Sequence, residues 1–201
     1  VVAPQLGRDA VRGRHGFSAS DRVFLSFGQI RDGKNLDRFL RAMTALPPAV
    51  KLLVAGASGG SGQRQPDGYQ TMARELGIAD RCVWDIRHVP DAEIGDLFSA
   101  ADIVLMTYSA RFRSASGVLN TAVTCRRPVL ASAGGGPLKS MVERHRLGVF
   151  VRPDDDAAVL EGARRLLGGP PAADWDRYER DNTWRENARI VIEVFGRRAA
   201  R

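Results

Sequence analysis

Arg31 and Lys34 stand three residues apart in Phe27-Gly-Gln-Ile-Arg-Asp-Gly-Lys-Asn35, between an apolar run and a stretch of helical spacing. A guanidinium fork beside a mobile ammonium suits a diphosphate, and Gly28 lets the backbone turn close to such a ligand. A second stretch, Ser114-Ala-Ser-Gly-Val-Leu-Asn-Thr-Ala122, reads as a loop and then a helix beginning at Ser116-Gly117. The first amides of a helix have no partners within it and carry the positive end of its dipole, so a phosphate is their natural occupant. Ser116 can cap that helix, and Gly117 has no side chain to obstruct a ligand at its first turn.

The other loops carry weaker chemistry. Gly28 through Gly33-Lys34 nearly matches the phosphate-binding loop Gly-x-x-x-x-Gly-Lys-Ser/Thr, but Asn35 stands where a magnesium-binding hydroxyl is needed. Asp102 begins its apolar run instead of ending it, so the acid an ATPase would use is also missing. Gly56-Ala-Ser-Gly-Gly60 lacks the spacing of the dinucleotide fingerprint. It reads as a turn that lets a ligand approach closely at Gly56. In Arg87-His-Val-Pro90, His88 could serve as a base, although a single His beside Pro is more often structural. Nothing resembles a Gly-x-Ser-x-Gly elbow, a Cys/His pair or a metal-ligand spacing, so no metal is expected and the catalytic residue is left unnamed.

The elements that must position these loops follow from the hydrophobic pattern. Short apolar runs at 23–27, 51–56, 82–84, 102–107, 128–132 and 148–151 read as buried strands. Helical spacing is predicted for 35–46, 69–76, 91–100 with Asp91 as cap, a short stretch around Met141, and 155–167 with acidic Asp154, Asp155 and Asp156 at its start. A final long helical region spans 174–198. Six strands alternating with helices predict an α/β, doubly wound, mostly parallel sheet of Rossmann-like type. Such a sheet binds its ligand beyond the carboxyl ends of its strands. The expected divisions are an irregular, basic lead-in at 1–20, a nucleotide-binding domain at 21–170 and a helical extension at 171–201.

Composition narrows the function classes. The 201 residues suffice for one well-buried domain, and 44% apolar content excludes a disordered chain. No apolar run is long enough to span a membrane, and no signal-peptide series opens the chain. Starting at Val1-Val2 without Met suggests a piece of something longer. Cys82 and Cys125 lie in separate predicted elements, so a reducing, cytoplasmic setting is expected. The net charge of +7 favours an anionic partner. Nucleic acid is not expected, because the charges are scattered and carry no known nucleic-acid motif; peripheral contact with the inner face of a membrane is compatible with them.

Taken in order, Phe27–Asn35, Arg87-His-Val-Pro90 with Ala100-Ala-Asp-Ile-Val104, and Ser116-Gly-Val-Leu with Arg127-Pro-Val-Leu-Ala-Ser132 resemble the group 1 retaining glycosyltransferases. The resemblance covers roughly residues 20–168 and is to the C-terminal, donor-binding half of the two-domain GT-B architecture. Trp184 is similar to the Trp of the helix that closes that domain. The resemblance implies that Gly28, Arg31 and Lys34, with the helix start at Ser116, Gly117 and Val118, hold the donor diphosphate, and that Arg87, His88 and Val89 hold the nucleotide base or ribose. It implies a nucleotide-diphospho-sugar as substrate, no cofactor or metal, and a glycan or lipid-linked acceptor bound through a missing N-terminal domain. The isolated piece should then transfer no sugar.

The sequence departs from the family in three places. Gln29 stands where the usual Arg follows the glycine, so Arg31 would have to reach from two residues later. Arg113 and Thr121 occupy the positions of two family glutamates, and Leu138 replaces the acid of a later Gly-Gly-x-Pro-Glu pattern. These losses keep open a non-catalytic nucleotide-binding or scaffold domain of the same fold; a P-loop-like ATPase is a weaker third reading.

Overall fold

Val23, Phe24 and Leu25 are fully buried in succession, which a strand tolerates only when both faces of its sheet are covered. The computed structural model describes residues 3–183 and, within 184–193, all but 184, 187 and 190. Its strands are β1 (Arg22–Phe27), β2 (Val50–Ala55), β3 (Cys82–Asp85), β4 (Ile103–Thr107), β5 (Val129–Ser132) and β6 (Gly148–Phe150). They pair in parallel in the order β3-β2-β1-β4-β5-β6. The order reverses between β1 and β4, so the crevice beyond their carboxyl ends is where a doubly wound sheet takes its ligand.

The helices are α1 (Arg8–Arg14), α2 (Leu36–Met43), α3 (Pro66–Glu75), α4 (Asp91–Ala100), α5 (Gly117–Thr124), α6 (Pro137–Arg144), α7 (Asp156–Gly168) and α8 (Trp175–Asp181). One core lies beneath α2, α3 and α7 and includes Phe39, Met43, Tyr69 and Val159. The other gathers Phe98, Leu119, Val142 and Tyr178 under α4, α5, α6 and α8. Asp155 caps α7 by accepting from the Ala158 amide at 2.9 Å, as its acidic start predicts. Asp156 instead reaches across to α2, where Arg38 and Arg41 bind it, the latter at 2.6 Å.

Several local expectations change. The lead-in is not wholly irregular. Arg8–Arg14 is a helix that buries only Val11 and Arg12, too little apolar spacing for a sequence pattern to register. Tertiary bonds hold it instead, with Asp96 of α4 accepting the Gln5 and Leu6 amides at 2.7 and 2.9 Å. Helix α3 starts three residues before Tyr69, at Pro66, whose fixed φ suits a first helical position. Asp91 is the first residue of α4 and makes no side-chain cap. The final helical region breaks after α8 at Asn182, and Trp184 lies outside the described residues.

Helix α8 is fastened at both ends of its inner face. Tyr178 Oη donates to Asn120 Oδ1 on α5 at 2.7 Å. The buried His145 ring bridges the Met141 carbonyl and Asp181 Oδ2, at 3.0 and 2.9 Å. Among the described residues no helix is long and apolar enough to cross a membrane.

Candidate functional site

The loop after β1 is zipped to the loop after β2. The Gly28 amide donates to the Ala55 carbonyl at 2.8 Å and the Ile30 amide to Ala57 at 2.9 Å. Gly28 takes φ +86°, and a Cβ on Gly56 would lie 2.3 Å from the Gly28 carbonyl oxygen. What approaches Gly56 closely is therefore the neighbouring loop. The expectation that this glycine clears space for a ligand is corrected on that ground.

Beyond Gly28 the chain makes a 3-10 turn over Asp32–Lys34 and enters α2 through Asn35, which adopts a left-handed φ of 52°. The turn is bonded to the end of β4: Thr107 Oγ1 donates to the Lys34 carbonyl and the Ser109 amide to the Gly33 carbonyl, each at 2.9 Å. The Lys34 ammonium folds back and donates to the Phe27 carbonyl. Burial, and next the charge of Arg31, push its pKa down to about 8. A desolvated ammonium lacking a carboxylate partner binds an incoming anion strongly.

One acid ties three loops together. Asp154, itself at φ 58°, accepts from Asn35 Nδ2 at 2.8 Å through one oxygen and from the Ala110 amide at 2.9 Å through the other. It thus links the loops after β1, β4 and β6. Asp32 performs a similar task toward the loop after β2, accepting from Tyr69 Oη at 3.0 Å and from the Arg64 amide. Burial and that bond raise the Tyr69 phenol well above its ordinary value.

Over the point where the strand order reverses lies a cavity of about 500 Å³. Its walls come from Gln29, Arg31 and Gly33 after β1, from Gly59, Gly60, Ser61 and Gln63 after β2, and from Ser109, Arg111 and Phe112 after β4. Both arginines are exposed, neither makes a side-chain hydrogen bond among the described residues, and no carboxylate lines the cavity. A pocket with two uncommitted guanidiniums, backbone-rich glycine turns and one aromatic ring suits an anionic ligand with a flat or apolar part.

Helix α5 starts at the expected place by a different device. Ser116 occupies the N-cap position but makes no cap bond. Its hydroxyl pairs with Tyr108 Oη at 2.9 Å, and the Tyr108 ring stacks on Phe112 at 4.1 Å. The side chain that could have satisfied the helix start is thus spent on the loop after β4. Gly117 is exposed, with open space where a Cβ would stand, and Val118 is half-buried. The turn at Gly134–Gly136 lies flush beneath this loop. A Cβ on Gly134 would lie 1.9 Å from the Ala110 carbonyl oxygen, and one on Gly136 2.5 Å from that of Arg113. Thr121, one turn into α5, is buried and bonds back to the Gly117 carbonyl at 3.3 Å.

The third expected segment stands apart. Arg87 is clamped by Asp85 at 2.7 and 3.1 Å and by Glu93 at 2.5 Å, bonds that strengthen its hold on its proton. It lines a separate cavity of about 150 Å³ beside α1 and α4. Val89 is part of the core, and His88 is exposed. The structure therefore brings Arg31 to the large cavity, with Gly28 and Lys34 on the same loop but outside its lining, and leaves Arg87–Val89 elsewhere. Ser116 is linked to the Phe112 wall only through Tyr108, and it lines a separate cavity of about 190 Å³ with Asn120, Met141 and Tyr178. Sequence reasoning missed Arg111, Asn35 and Asp154. For Asn35 a signal existed, since an Asn between a Gly-Lys turn and a helical run is a frequent left-handed residue.

The family described as Glycosyl transferases group 1 matches residues 7–191. A D-inositol 3-phosphate glycosyltransferase of Mycobacterium tuberculosis is 34% identical over 172 residues, 81% of this chain and 34% of that protein. The chain thus spans about a third of the length of the curated relatives it matches. Among solved structures, Anabaena HepE in complex with UDP superposes with a TM-score of 0.77 at 20% identity, over 94% of this chain and 52% of that one. Sucrose-phosphate synthase of Thermosynechococcus elongatus gives 0.74 at 22%, over 99% and 50%. The C-terminal domain of a group 1 family protein of Francisella tularensis gives 0.71 at 16%, over 90% and 95%.

Proposed function

Since this chain belongs to the group 1 glycosyl transferases, we propose that it is the donor-binding half of an enzyme that moves a sugar, with retention, from a nucleotide-diphospho-sugar to an acceptor hydroxyl. The observation that carries this reading is the cavity of about 500 Å³ over the strand reversal, walled by Arg31 and Arg111 and free of carboxylates. Arg31 and Lys34 hold the diphosphate, and the amides of Gly117 and Val118 receive its distal phosphate. As the glycosidic bond breaks, negative charge grows on the departing diphosphate, and fixed cations and helix amides stabilise it there without a metal ion. Lys34 releases the Phe27 carbonyl to do so. Acceptor binding, whether of a glycan or a lipid-linked sugar, falls to a further domain, and the reaction runs in the cytoplasm, at or near the membrane's inner face.

A second reading, a nucleotide-binding scaffold without catalysis, has its own support in Arg113 and Thr121, which stand where the family carries glutamates. The ATPase reading has lost its footing: the Asn35 amide is engaged by Asp154 and the 28–30 segment is zipped to its neighbour strand's loop. Calorimetry of the 201-residue chain with UDP, GDP and ADP tests the donor reading. Millimolar or tighter binding of at least one is expected, and silence from all three at millimolar concentration overturns it. Assay of the longer parent with a panel of sugar nucleotides separates enzyme from scaffold, because only an enzyme loses transfer or donor hydrolysis on Lys34→Ala. The isolated chain should transfer nothing, since only one wall of the reaction cleft is present.

A further inference from the structure

At the opposite, amino-terminal end of the sheet, four guanidiniums crowd one carboxylate. Asp102, just before β4, accepts from Arg8 Nη2 at 2.7 Å and from the Val23 amide at 2.7 Å. Arg12 and Arg22 each stand 3.7 Å from it. The fourth, Arg127, makes no side-chain hydrogen bond among the described residues, and its buried Nε, like that of Arg12, has no partner. Burial, then the charge of Arg8, weakens Arg127's hold on its proton, while Asp102 opposes them. Arg8 donates to the backbone carbonyls of Ser99 and Ala101, and Arg12 Nη2 to that of Asp21. Arg127 donates to no carbonyl among the described residues.

Arg127 and Arg22, with Asp102, form the polar wall of a cavity of about 210 Å³ whose other wall includes Leu166, Leu167 and Pro170. This volume is below the roughly 300–1,000 Å³ typical of sites for drug-sized ligands. Arg127 is half-buried, and its buried Nε without a partner is costly, while an oxyanion is the group whose geometry its fork matches. Asp102 does not forbid one, because its charge is already outnumbered and both its oxygens are engaged.

We propose that this basin is a second anion site, distinct from the donor cleft, that takes a phosphate group on Arg127 and Arg22 and packs the carbon end of a small phosphomonoester on Leu166, Leu167 and Pro170. It lies roughly 17 Å from the cleft along β4, a strand of five residues. It stands independently of the donor assignment, whose own cations sit at the other end of the sheet.

The test uses the 201-residue chain carrying Lys34→Ala, so that phosphate in the donor cleft contributes little. Thermal unfolding is followed against inorganic phosphate and, separately, glycerol phosphate, with ionic strength held by chloride. Saturable stabilisation is expected, with glycerol phosphate binding more tightly than inorganic phosphate because its carbon end packs on the apolar wall, and equal binding of the two would overturn the part assigned to that wall. Adding Arg127→Met should weaken phosphate roughly tenfold, the size of a lost charged hydrogen bond. It should also raise the midpoint in phosphate-free buffer, where the half-buried guanidinium with its unpartnered Nε is gone. If Arg127→Met fails to fold, the exposed Arg22→Gln replaces it, with an expected weakening of about threefold. No response to either probe, or a response that these substitutions leave unchanged, overturns the proposal.

Discussion

The loops after β1 and β3 leave the same end of the same sheet, and each presents an arginine within a few residues of its strand. Their fates differ. Arg87 is held by Asp85 and Glu93, two carboxylates within 3.1 Å. Among the described residues Arg31 makes no such bond and faces a cavity with no acid in its walls. A basic residue near a strand end is available to a ligand only when no carboxylate nearby claims it first. That condition is set by Asp85 at the end of β3 and Glu93 on α4, and not by the arginine alone.

Loss of Lys34 should separate the two loops most sharply. Lys34→Met should weaken the nucleoside diphosphate that binds by roughly 10–100-fold, as expected for a charged hydrogen bond. Titration calorimetry reads this directly, and a change under about threefold would remove Lys34 from the diphosphate site. Next in size is Asp154→Ala, which strands Asn35 Nδ2 and the Ala110 amide. Urea unfolding should register a loss of about 1–3 kcal/mol, and diphosphate affinity should fall with it, because the loops after β1 and β4 lose their shared tie.

A pH series sharpens the contrast further, since the Lys34 pKa sits at about 8 against an ordinary 10.5. Only the protonated amine attracts a diphosphate, so affinity should fall as pH rises through about 8. Stability moves the other way. Between about 8 and 10.5 the unfolded chain holds this proton and the folded chain does not, so folding gains as pH rises. Lys34→Met should flatten both slopes, in calorimetry and in thermal unfolding. The smallest effect belongs to Arg87→Ala. Its ion pairs are largely exposed and worth at most about 1 kcal/mol, and diphosphate affinity should change less than twofold. A larger loss of affinity would return the Arg87 loop to the binding site.

Much of the scaffold was legible in the residues because strands buried on both faces read as unbroken apolar runs, and all six lie within a residue or two of those runs. Helix α7 was legible at its start through Asp155. Helix α1 was not, because a helix with one buried apolar residue owes its existence to Asp96 and Ser99, some 90 positions away. Ser116 shows a subtler limit. Its place at the head of α5 was readable, but the partner of its hydroxyl is Tyr108, and only the folded loop decides between that phenol and the helix amides. In the candidate site, Gly28, Arg31 and Lys34 are adjacent in sequence and could be grouped. Asn35 and Asp154 are 119 residues apart and meet only because β1 and β6 both finish at the carboxyl end of the one parallel sheet.

The seating of Gly56 on the Gly28 carbonyl, and of Gly134 and Gly136 on the loop after β4, divides the positions around the cavity for anyone redesigning its ligand preference. Side chains at those three glycines would meet backbone oxygen at 2.5 Å or less, so a library that varies them spends its members on misfolded chains. Gly60 has open space where a Cβ would go, and Gln29, Ser61, Gln63 and Arg111 line the same cavity with their side chains. Because Gln63 Oε1 accepts the Asp32 amide at 3.0 Å, diversity confined to Gln29, Gly60, Ser61 and Arg111 can change the shape and charge of the pocket while leaving intact the contacts that hold its walls in place.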